Sequence, residues 1–303
     1  MKSLRDSIAK PGTRVLLILT GISIIIFGVG VASFRDSSTE SEEEFCRNIL
    51  PADSIANSDS LSRCGGELES EMTGKPPGAL TPGGSTRHSG KQIHAFEQTV
   101  DAYAKRWSED GSEVPSAIRE NMSNALAYYG PQVHLILLSH GNSVSGRNGI
   151  EISRESMVDF IQAVSQSERQ FKRIYDSQIK FTTERVGSLG KDDFTNIPTG
   201  DTDKARAVLQ ESGRVIATLT QIHAVVIADR GDPSSEQIKA DLVDNYEQYG
   251  KPRLVEMIEA RAKAVGVSDH DMHASGTRGA LLIQGTGQSY DAAARETDTS
   301  VSS

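Results

Sequence analysis

The feature that most constrains this chain is a run of twenty residues without a charge, Val15 to Phe34 (VLLILTGISIIIFGVGVASF). At 1.5 Å of rise per residue it makes about 30 Å of helix, the thickness of a bilayer's hydrocarbon core. In lipid, every backbone N–H and C=O must be satisfied within the segment, which requires a helix despite Gly21, Gly28 and Gly30. The pattern therefore predicts a single transmembrane helix over 15–34. The competing reading is a secretory signal peptide, with Gly30, Ala32 and Ser33 as the small residues of a cleavage site. The apolar stretch of such a peptide is ordinarily about 7–15 residues, shorter than this run. No lipoprotein-type cysteine follows, because Cys46 is preceded by Glu44 and Phe45.

Charge gives the run a direction. Residues 1–35 carry Lys2, Arg5, Lys10, Arg14 and Arg35 against Asp6, net +4, whereas 36–71 carry ten acids against Arg47 and Arg63, net −8. By the positive-inside rule residues 1–14 form a cytoplasmic tail, and everything after Phe34 is extracytoplasmic, in an inner or cell membrane. Residues 72–268 are close to neutral at −2, and residues 269–303 carry −3. The total of −9, from 32 basic and 41 acidic residues, argues against direct nucleic-acid binding. Hydrophobic residues make up 37% of the chain, below the roughly 45–50% of an average globular sequence, although that average also counts Gly. A core running along the whole length is therefore not expected.

Cys46 and Cys64 enclose a Ser-, Asp- and Asn-rich stretch on the exported side, where a disulfide is permitted. Pairing them would contribute roughly 3 kcal/mol by closing the loop; the alternative is two free thiols. Residues 35–90 read as an acidic, Gly/Pro/Ser-rich linker. From Lys91 apolar residues return at helical spacing: Phe96, Val100, Tyr103 and Trp107. A second helix is predicted from Pro115 to Tyr129. A third of about 35 residues is predicted over Ser153–Val186, on a ladder of Met157, Ile161, Val164, Glu168, Phe171, Tyr175, Gln178 and Thr182. Its Arg169, Lys172, Arg173 and Lys180 read as a solvated face. Another ladder, Val208, Val215, Leu219, Ile222 and Val226, lies within 202–228, and shorter helices follow to Tyr249 and over Arg253–Val265. The fold expected is mainly α: a helical bundle or helical hairpin, with coiled-coil-like packing, over 91–266. The tail 267–303, polar and Gly/Ser-rich, is expected to be disordered.

Few residues carry chemistry. Val133 to Gly141 is an apolar run ending in Ser139-His140-Gly141, which resembles the histidine strand of caspase-type peptidases. In those enzymes a later strand ends in Gln-Ala-Cys-Arg-Gly; here His223 to Gly231 has Asp229 where the nucleophile stands. An inactive relative is the most that resemblance implies. His270 and His273, beside Asp269 and Asp271, have a spacing that could hold a metal ion, but two histidines in a polar tail more often hold none. Asn121-Met122-Ser123 is a glycosylation sequon. Gly141, Gly146 and Gly149 punctuate a turn, with no Lys-Ser or Lys-Thr after them to make a phosphate loop. No catalytic residue, metal site or cofactor is assigned from sequence.

The N-terminus, Lys2-Ser3-Leu4 and then Thr13-Arg14-Val15-Leu16-Leu17-Ile18-Leu19-Thr20, resembles that of the DotG/IcmE/TraO family. These are inner-membrane channel subunits of type IVB secretion and conjugation machines. The Gly/Pro-rich stretch with Pro76-Pro77-Gly78 is similar in kind, and the likeness covers about a tenth of the chain. Such proteins end in a β-rich pore domain, which nothing after Gly90 resembles, so the likeness implies a compartment and a class of role but no functional residue. The expectation is a non-enzymatic, membrane-anchored structural or interaction protein, binding protein partners or itself through its helical domain. An exported ligand-binding or sensor bundle is the alternative.

Overall fold

The computed structural model describes residues 41–49, 60–79, 87–139, 149–198, 203–229 and 234–301. The apolar run Val15–Phe34 and His140 lie outside them. Among the described residues no helix is long and apolar enough to cross a membrane. Residues from Glu40 onward form one compact unit, and its described part holds helices and no strand.

The unit begins inside the stretch expected to be a linker. Helices α1 (Glu42–Ile49) and α2 (Leu61–Thr73) are joined by a Cys46–Cys64 disulfide with Cα atoms 6.2 Å apart, so the pairing the sequence left open is made. The Ser60 side chain accepts from the Arg63 amide to start α2, and Gly74, at φ 66°, ends it by donating to Ser70 O. The Gly65-Gly66 pair that suggests a flexible linker is a helix contact: a Cβ on Gly65 would lie 2.5 Å from Ile118. Arg106 clamps α1 with two hydrogen bonds to Glu42, at 2.9 and 2.6 Å, and lays its guanidinium 4.2 Å above the Phe45 ring.

Helix α3 (Gly90–Asp110) opens with a Ser89/Gln92 capping box and buries Phe96, Val100 and Tyr103, three of the four residues expected to line its inner face. Helices α4 (Ser116–Tyr128) and α5 (Gly130–Leu138) follow, Pro131 sitting in the first turn of α5. The single long helix expected over Ser153–Val186 is two: α6 (Arg154–Val164) and α7 (Glu168–Gly187). The break falls on Ser165-Gln166-Ser167, where Ser165 ends α6 by donating its amide to Ile161 O and Ser167 adopts the extended N-cap conformation ahead of Glu168. A short α8 (Lys191–Thr195) leads to α9 (Lys204–Asp229). Then come α10 (Ser235–Tyr249), α11 (Lys251–Ala264), α12 (Asp269–His273) and α13 (Arg278–Val301).

Helix α13 replaces the disordered tail. It lies along α9 with Leu282, Thr286, Tyr290, Ala293 and Thr297 turned inward. The two backbones come so close that a Cβ on Gly213 would stand 2.9 Å from Thr286 O. Small and hydroxylated side chains let helices approach and gain dispersion contacts without large apolar groups, and the hydroxyls of Ser212, Thr286 and Thr297 return to their own helix carbonyls. A chain lean in large apolar residues thus still builds one continuous core, from Cys46 to Ala293. Helix α7 packs on both α4 and α9, and α5 on both α7 and α9, so these helices join the N- and C-terminal halves.

Candidate functional site

The concentration of buried polar groups lies along the inward face of α7. Buried Phe171, Tyr175, Gln178 and Thr182, with exposed Glu168 before them, recur at helical spacing, so polar groups share a stripe with the aromatics and meet α5, α9 and α10. Two histidines, each 1% exposed or less, are held along this stripe.

At one end is His134 of α5. Gln178 Nε2 donates to Gly130 O at 2.8 Å, which turns Gln178 Oε1 toward His134 Nδ1 at 3.3 Å and requires a proton there. Nε2 then has its lone pair free to accept from Arg185 Nη1 at 2.9 Å. Arg185 is in turn paired with Glu211 of α9. Burial first, and the Arg185 charge second, push the His134 imidazole down to about 3, so it is neutral.

At the other end is His223 of α9. Asn245 Nδ2 donates to Thr220 O at 3.0 Å, which turns Asn245 Oδ1 toward His223 Nδ1 at 2.8 Å. The second nitrogen, Nε2, faces not a guanidinium but Glu168 Oε2, at 3.2 Å. The Tyr249 hydroxyl donates to the other carboxylate oxygen, Oε1. Phe171 stacks on the imidazole at 3.9 Å between ring centres, and Tyr249 meets it edge-on at 5.7 Å. Burial and then Glu168 raise the Tyr249 phenol, which stays protonated. The Glu168 side chain is itself 53% exposed.

A hollow of about 260 Å3 is lined by Glu256, Glu259, Lys263, Asp269 and His273, and another of about 160 Å3 by Ile197, Arg206, Arg278 and Leu281. Neither reaches His134 or His223.

No protein-family model, curated protein or solved structure matches the chain.

The residues singled out from sequence are scattered. Val133–Leu138 lies in α5 and His223–Ala228 in α9, so both are helical and the strand pair that a caspase-like relative requires is missing. The physical reason is partnership: α5 is covered by α6, α7 and α9, which suits an apolar run as well as a sheet would. Both cysteines are consumed by the disulfide. Asn121 donates to Glu69 Oε2 at 2.6 Å, so the sequon's amide is already engaged. That carboxylate is fully buried and also accepts from Asn124 and from the Gly78 amide, pinning α2 to α4. His273 Nε2 lies 3.6 Å from Glu259, and among the described residues no three potential ligands converge on a metal position. Sequence reasoning missed the pairing of His134 and His223 with α7. Its signal was present, because Glu168 and Gln178 occupy positions in an otherwise apolar ladder.

Proposed function

We propose that the chain is a membrane-anchored structural or interaction protein, with one span at 15–34 and an extracytoplasmic helical domain that assembles with itself or with protein partners. The observation that carries this reading is the buried Cys46–Cys64 disulfide, a bond that persists in oxidising compartments and is rare in a reducing cytosol. It lies on the side of the apolar run that charge assigns to the exterior. The α7 stripe favours a scaffold over a ligand-binding sensor, since Gln178 and Glu168 there contact His134 and His223 on neighbouring helices. The role is not enzymatic on this reading. The N-terminal likeness to DotG/IcmE/TraO proteins supports a place in a type IV secretion or conjugative transfer apparatus.

The test is the size of the full chain solubilised in mild detergent, together with cross-linking in native membranes. The proposal expects a defined oligomer, or a stable complex cross-linked through 91–266. A strictly monomeric chain with no cross-linked partner would contradict it.

A further inference from the structure

We draw no further inference here: the strongest candidate, the hollow of about 160 Å3 between α9 and α13 where exposed Ile197 and Leu281 stand beside Arg206 and Arg278, is an unpartnered apolar patch, and nothing in the structure shows what covers it.

Discussion

At the scale of single residues, the two buried histidines are near mirror images. Each has Nδ1 tied to an amide whose orientation is set by a backbone carbonyl, and they differ in whether Nε2 meets Arg185 or Glu168. His134, held down to about 3, is stabilising while neutral. The unfolded chain binds a proton near 6.5, so this contribution is complete above that value and is lost as pH falls toward 3. Unfolding by denaturant should therefore show stability dropping by on the order of 5 kcal/mol over that interval. His134→Gln should remove most of the slope. Glu69 offers a second case. Three N–H groups converge on its buried carboxylate, so Glu69→Gln turns an acceptor into a donor facing donors, and should cost about 2–3 kcal/mol in thermal or chemical denaturation.

At the scale of elements, close approach matters as much as apolar burial. Gly213→Leu should force α9 and α13 apart and destabilise the domain by about 3 kcal/mol, because the obstacle is the Thr286 backbone carbonyl and not a flexible side chain. Gly187→Ala, with open space around its Cβ, should instead be neutral or stabilising by up to about 1 kcal/mol, read in the same denaturation series. The same contrast explains which helices were legible in sequence. The inner faces of α3 and α9 carry Phe96, Val100, Tyr103, Val215, Leu219 and Ile222, and large apolar residues at helical spacing reveal themselves. The face of α13 has helical spacing too, but at Leu282, Thr286, Tyr290, Ala293 and Thr297 most of the residues do not look like core. In α2, Gly65-Gly66 imitates a linker because a glycine required by a neighbouring helix is indistinguishable, in one sequence, from a glycine required by a turn. The α7 stripe was half legible: Glu168 and Gln178 marked polar steps in the ladder. Their partners His223, Asn245 and His134 are brought in from distant helices, which periodicity along one helix does not encode.

At the scale of the whole molecule, charge and covalent chemistry agree on one arrangement. A net +4 over residues 1–35, a net −8 over residues 36–71, and a disulfide clamping the first two described helices support the proposed arrangement, in which the body of the chain lies on the oxidising side. The most direct measurement combines topology and redox state in carbonate-washed membranes and intact inner-membrane vesicles of known sidedness, made from cells expressing the full chain. Cysteines are blocked with an alkylating reagent before and after reduction, and protease is added from either face. The account predicts that the chain stays with the membrane, that Cys46 and Cys64 react only after reduction, and that the helical body is digested only from the extracytoplasmic face. A chain released by carbonate, with both thiols reactive beforehand or a body digested only from the cytoplasmic face, would contradict it.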